Sequence, residues 1–174
     1  MRLIAFACAF FATSTVSAQP VEPPRVSPAL EQLRHVVGTW DVVTEFLSPD
    51  GSVARAVNGS YEFDWVVPDH ILRGVSRMPA LQQVSAILFY LRPASREVEM
   101  VSVGPDGRLW VMTGADDTEI RMTPDVPAGD GRRMRLRFTR YAVTADRFES
   151  RMEISADGGV TWSPGNHQVF VRRR

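Results

Sequence analysis

Gly38-Thr39-Trp40-Asp41-Val42-Val43-Thr44-Glu45-Phe46-Leu47 is the stretch that decides the fold. A glycine opens it, β-branched residues fill it, and Ser48-Pro49-Asp50-Gly51 closes it with turn chemistry. The same rhythm then repeats to Val169-Phe170-Val171, with about ten short strand-like runs separated by turn signals. Gly104-Pro105-Asp106-Gly107 and Asp157-Gly158-Gly159 repeat the turn chemistry of Ser48–Gly51. No helical stretch of crossover length lies between the strands, which argues against a parallel βαβ sheet. Hairpin after hairpin gives an all-β, antiparallel up-and-down meander. Closing it into a barrel of about 8–10 strands is the simplest way to remove its edges.

Alternation tells which side chains face inward. In Ser60-Tyr61-Glu62-Phe63-Asp64-Trp65 the aromatics share one face and the acids the other. Met134, Leu136 and Phe138 alternate with Arg135 and Arg137, and Phe148, Met152 and Ile154 alternate with charged residues. Glu45, Glu62, Asp64, Glu149 and Glu153 all fall in the outward phase, which argues against paired carboxylates doing acid–base chemistry inside. Val84 to Leu91 is apolar on both faces, so it is either covered or a contact surface. Asn58-Gly59-Ser60 is expected to form a tight turn. Ser27-Pro28 is expected to start a short helix, with serine as cap and proline at the first position. Leu30, Leu33 and Val37 would share one face of it, suited to plugging a barrel end.

Residues 1–18 have the pattern of a cleaved signal peptide. Arg2 is followed by an apolar run from Leu3 to Ala12 and by Val16-Ser17-Ala18 before Gln19. The expected compartment is therefore periplasmic or extracellular. Residues 19–29 are expected to be a flexible, proline-rich leader, and 30–174 the barrel domain. Cleavage would remove Cys8, the only cysteine, so disulfides and thiolate chemistry are excluded from the mature chain. Twenty basic residues balance twenty acidic ones, which gives no field for nucleic acid or an anionic membrane. No phosphate loop, nucleophile elbow or metal-ligand spacing occurs, so neither catalytic residues nor a metal or cofactor are expected.

A barrel of this size can hold one small ligand. The in-phase wall candidates are Phe46, Tyr61, Phe63, Trp65, Leu72, Met78, Met100, Met112, Phe138, Phe148, Met152 and Phe170. They predict an apolar or amphipathic small molecule as partner. Arg140 continues the phase of Leu136 and Phe138, and either meets an anionic head group or snorkels to the rim. His70 is the histidine best placed to enter a cavity. Two alternatives stand beside ligand binding. One is a cavity enzyme of isomerase or cyclase type; the other is a protein-interaction module that uses Val84–Leu91 for self-association as a homodimer or for another partner.

Gly38-Thr39-Trp40 resembles the Gly-x-Trp of lipocalins. The resemblance implies that Trp40 packs across the barrel floor against a basic residue from the last strand, Arg172 or Arg173. More broadly, Gly38–Val42, Pro49–Gly51, Tyr61–Trp65 and Ser155–Trp162 resemble an uncharacterised family of exported bacterial domains with calycin-type barrels. That likeness implies a lipocalin-like fold over roughly Leu30 to Arg174 and carries no catalytic residues. The glycines that follow Gly-x-Trp in a related haem-binding barrel family are absent from Asp41–Thr44. Ser155-x-Asp157-x-Gly159-x-Thr161-Trp162 also matches the Asp-box turn of sialidase-like propellers, but occurs once, as a hairpin device.

Overall fold

The computed structural model describes residues 27–127 and 132–174. The expected signal segment 1–18, and the leader up to residue 26, lie outside the described residues. Helix α1 (Pro28–Val36) precedes eleven strands: β1 (Gly38–Leu47), β2 (Val53–Val67), β3 (Ile71–Met78), β4 (Gln83–Arg92), β5 (Glu97–Val103), β6 (Leu109–Ala115), β7 (Ile120–Met122), β8 (Val126–Pro127), β9 (Arg133–Thr144), β10 (Arg147–Ser155) and β11 (Ser163–Arg172). Ten of them close into one antiparallel ring, β1-β2-β3-β4-β5-β6-β7-β9-β10-β11 and back to β1. The two-residue β8 only flanks β9. Closure depends on the pairing of Trp40 with Arg172 and Val42 with Phe170, which joins the first strand to the last.

The hairpin turns at Ser48–Ser52 and Gly104–Gly107 form where proline, aspartate and glycine predict them. Asn58-Gly59-Ser60 does not turn: it lies inside β2, paired with β1 and β3. Gly59 is needed there for close approach, because a Cβ would sit 2.6 Å from the Arg77 carbonyl oxygen. Ile154 keeps its expected phase, opposite the buried Leu136 of β9, but stands one residue from the end of β10 and is left exposed.

Helix α1 lies across the end of the barrel where the β2–β3, β6–β7 and β9–β10 turns gather, and it is tied to each. Arg34 forks onto Asp69, Gln32 donates to the Thr118 carbonyl, the Ala29 N–H donates to the Asp116 carbonyl, and His35 Nε2 meets the Thr144 carbonyl at 2.7 Å. The helix begins at Pro28, but Ser27 makes no side-chain cap; its hydroxyl is buried without a partner, and the Ser27 carbonyl accepts the first helical bonds instead. Beneath α1, Trp40 is fully buried among Leu33, Val36, Phe148 and Phe170. Phe148 and Phe170 stack at 4.2 Å, and Trp40 meets Phe148 edge-on at 4.9 Å. Arg172 lies 4.2 Å over the Trp40 ring and donates to the Val37 and His35 carbonyls, so it closes both the ring and the C-terminus of α1. Arg173 instead pairs with Asp41 on the outside.

Candidate functional site

The barrel is hollow in its middle. A cavity of about 230 Å³ extends from Gln32, Leu33 and Val36 of α1 to Met78 and Gln83, which flank the turn at the opposite end. Its wall is mostly apolar. Tyr61, Phe63, Met100, Phe138, Phe148, Met152 and Phe170 line it, as their phase predicted, together with Met78 and Arg140. Ile87 and Phe89 complete the apolar surface from β4.

The other candidates lie outside the lining. Leu72 and Met112 are buried in solid core, Leu72 in the aromatic cluster under α1 and Met112 against Met100 and Leu136. Trp65 packs on the edge of the same aromatic cluster, and Phe46 sits near the far end of β1 opposite Arg55 and Asn166. His70 is exposed in the β2–β3 turn, where Nδ1 lies 3.1 Å from the Pro68 carbonyl. A strand's phase tells which face is inward but not where along the axis the packing stops, and that is what separates these residues from the cavity wall.

Two polar clusters interrupt the apolar wall. The first is neutral. Gln168 donates to the Thr44 hydroxyl at 2.9 Å and to the Tyr61 hydroxyl at 3.1 Å, and accepts from Ser150 at 3.3 Å. Burial pushes the Tyr61 phenol up, so it stays protonated. Ser76, Ser85 and Ser102 add hydroxyls to the same chamber.

The second cluster is charged and lies directly under α1. Arg140, at 6% exposure, does not reach the rim as a snorkelling side chain would. Its Nη1 faces Glu119 at 3.2 and 3.4 Å, its Nη2 donates to His35 Nδ1 at 2.6 Å, and its Nε is buried with no partner. A guanidinium only donates, so His35 Nδ1 must accept. The His35 proton is then on Nε2, directed at Thr144, and the ring is neutral. Burial, reinforced by the nearby Arg140 and Arg172, holds the His35 imidazole below its ordinary range. Arg121, at 4% exposure, donates to the Thr118 and Ile120 carbonyls and to Gln32 Oε1. Burial lowers both guanidinium pKa values and raises that of Glu119.

Glu119 and Arg121 were not among the sequence candidates. Glu119 precedes β7 and Arg121 is at its centre, and three residues are too short to display a period of two. The only available signal was the pair itself: an arginine two residues after a glutamate, next to a turn.

The Asp-box hairpin is a device of structure. Ser155 and Asp157 accept the N–H groups of Gly159, Val160 and Thr161, and Trp162 donates to the Gly159 carbonyl. The Thr161 hydroxyl and N–H, with the Ser155 hydroxyl, donate to the Asp157 carboxylate and hold it far below the usual range. Among the described residues no cluster of histidine, cysteine, aspartate and glutamate could hold a metal ion.

No family model and no curated protein matches the chain. Among solved structures it is similar to the S-type phycobiliprotein lyase CPES from Guillardia theta, with TM-score 0.52 and 13% identity over 87% of this chain and 99% of that one. It is also similar to EF1p2_mFAP2b bound to DFHBI, with TM-score 0.43 and 14% identity over 85% of this chain and 100% of that one. At such identities the likeness is one of fold. The closed ten-strand ring, opened by Gly38-Thr39-Trp40 and joined by the Trp40–Arg172 contact, has the architecture of a lipocalin-like β-barrel.

Proposed function

We propose that this chain is an exported β-barrel that encloses one small apolar or amphipathic molecule. The observation that carries the reading is the chamber of about 230 Å³, with aromatic and methionine walls and a few converging polar groups. Three of its wall residues, Met78, Met100 and Met152, are unbranched and polarisable and adapt to different ligand shapes. Export is supported by Arg2, the Leu3–Ala12 run and Val16-Ser17-Ala18. The test is native mass spectrometry of the protein purified gently from the periplasm of its host, with extraction of whatever travels with it. A reproducible one-to-one adduct on a chain that begins at Gln19 is the expected result. A clean apo mass under conditions that keep the barrel folded would overturn the reading.

One observation favours a second reading, self-association. On the outer face of β4, Val84 and Leu88 are 56% and 36% exposed. Their row continues through Ala86, Val103 and Leu109, the last 60% exposed, and through Val101 and Val111. A homodimer through this face would cover it. Light scattering over a range of concentrations, with Leu88→Glu as the control, separates a dimer from a monomer.

A further inference from the structure

Among the described residues, the charged groups lining the chamber are Arg121, Arg140 and Glu119. Two guanidiniums against one carboxylate leave one positive charge over, and His35 contributes none while it accepts from Arg140. A buried charge without a counter-charge is costly, and the fold does little here to offset it. Arg121 finds only neutral acceptors, two carbonyls and the Gln32 amide oxygen. Arg140 has an orphaned Nε, and its contacts to Glu119 at 3.2 and 3.4 Å are longer than the ~2.7–2.9 Å of good charge-assisted bonds. Arg172, the other arginine at this end, faces Trp40 and the helix carbonyls and has Asp146 within 3.5 Å, so it adds no free demand.

We propose that the chamber takes a molecule with a single carboxylate head, seated against Arg140 and Arg121 beneath α1, with its apolar tail running toward Met78 and Gln83. This deepens the binding-barrel reading and rests on it. A carboxylate fits for three reasons. It carries one negative charge, matching the excess. Its two oxygens match the planar fork of a guanidinium. Its tail would lie along Phe63, Phe89, Phe138 and Met100, which line the chamber. Glu119 is the group a carboxylate head would displace from Arg140, and its long contacts suit that exchange. The volume equals that of about eight waters at ~30 Å³ each, which suits a chain of about ten carbons or fewer.

The experiment is calorimetric titration of the delipidated full chain with decanoate and, separately, with decanol, at pH 7.5. Decanoate should bind at least tenfold more tightly. In Arg140→Met that preference should collapse while decanol still binds. Arg140→Met removes a buried fork and risks misfolding, so Glu119→Gln is the second variant. It takes away the internal competitor and no cation, and decanoate should bind several-fold more tightly to it. Equal affinity for the two probes, or weaker decanoate binding in Glu119→Gln, would overturn the carboxylate head and leave the binding barrel standing. Failure of both probes to bind would overturn the binding barrel, and the carboxylate head with it.

Discussion

The end of the barrel under α1 and the chamber beside it are built from the same alternating strands, yet one is solid and the other hollow. The difference is clearest in two arginines. Arg172 sits over Trp40, with its fork donating to the carbonyls of His35 and Val37. Arg140 sits over Phe148 at 4.8 Å and is left with an unpartnered Nε and a shared, distant carboxylate. Both are cations on aromatic faces at the same end of the fold. One completes a closed structural joint; the other keeps a buried donor that no acceptor meets. Residue type and phase therefore do not separate a fully partnered cation from one left short of acceptors. The count of acceptors around the fork does.

Truncation on each side should break the comparison most sharply. Trp40→Ala removes a fully buried ring from the solid end and should cost about 3–5 kcal/mol. At ~2–4 °C per kcal/mol for a chain of this size, the thermal midpoint should fall by roughly 6–20 °C. Met100→Ala removes atoms that already border empty space, so it should cost about 2 kcal/mol, the low end of the range for such changes, or less. Equal losses in thermal unfolding would mean that the chamber is packed in solution.

Filling is the converse test and should have a smaller effect. Ser102 lines the chamber and pairs across β6 with Trp110. Ser102→Leu places a branched apolar group in the void. It should raise stability by about 0.5–2 kcal/mol in urea unfolding, the usual range for cavity filling. The same variant should lose the small-molecule adduct. A destabilised Ser102→Leu that still carries the adduct would argue that the void lies elsewhere.

The sequence made the Trp40–Arg172 joint far more legible than the charged cluster beside it. Trp40 and Arg172 are marked by a glycine, a strand start and a strand end, and alternation placed Tyr61, Phe63, Phe138 and Phe148 inside. Phase is unreadable where strands are short, and it does not tell where along a strand the packing ends. Glu119 and Arg121 lie at a three-residue strand, and Ile154 is in phase but exposed near the end of β10. Gly59 looked like a turn because nothing local reveals that the Arg77 carbonyl approaches it from the next strand. Gln32 and His35 enter the site from the helix through long-range pairing, with Arg121 and Arg140 some ninety or more residues away. Whether Arg140 meets a partner is a property of three elements at once, and no window of sequence contains them.

Two histidines carry the comparison to its finest scale, because the solid end and the outer wall hold them in opposite charge states. His35 accepts from a guanidinium and is neutral. His167 lies on the outside between Glu45 and Glu149, each 2.9 Å from one ring nitrogen, so both nitrogens donate and the ring is an imidazolium. Burial pulls the His167 pKa down, but the two carboxylates outweigh it and the net displacement is upward. A raised folded-state value means that its stabilisation is fully present below the unfolded value of about 6.5 and is lost as pH rises through the folded one. For His35 the sign reverses: the fold prefers the neutral ring, so stability is lost as pH falls from about 6.5 toward the lowered folded value. Urea midpoints at pH 5.5 and 8.5 separate the two. The deficit of His167→Gln against the native chain should be greatest at pH 5.5, at about 1 kcal/mol or less because the pair is partly solvated, and should shrink by pH 8.5. The deficit of His35→Gln should be greatest at pH 8.5 and shrink at pH 5.5, since glutamine can still accept from Arg140 but never takes a proton. Deficits that do not change with pH would mean that neither histidine keeps its charge state in solution, and that Arg140 reaches His35 less firmly than the 2.6 Å contact implies.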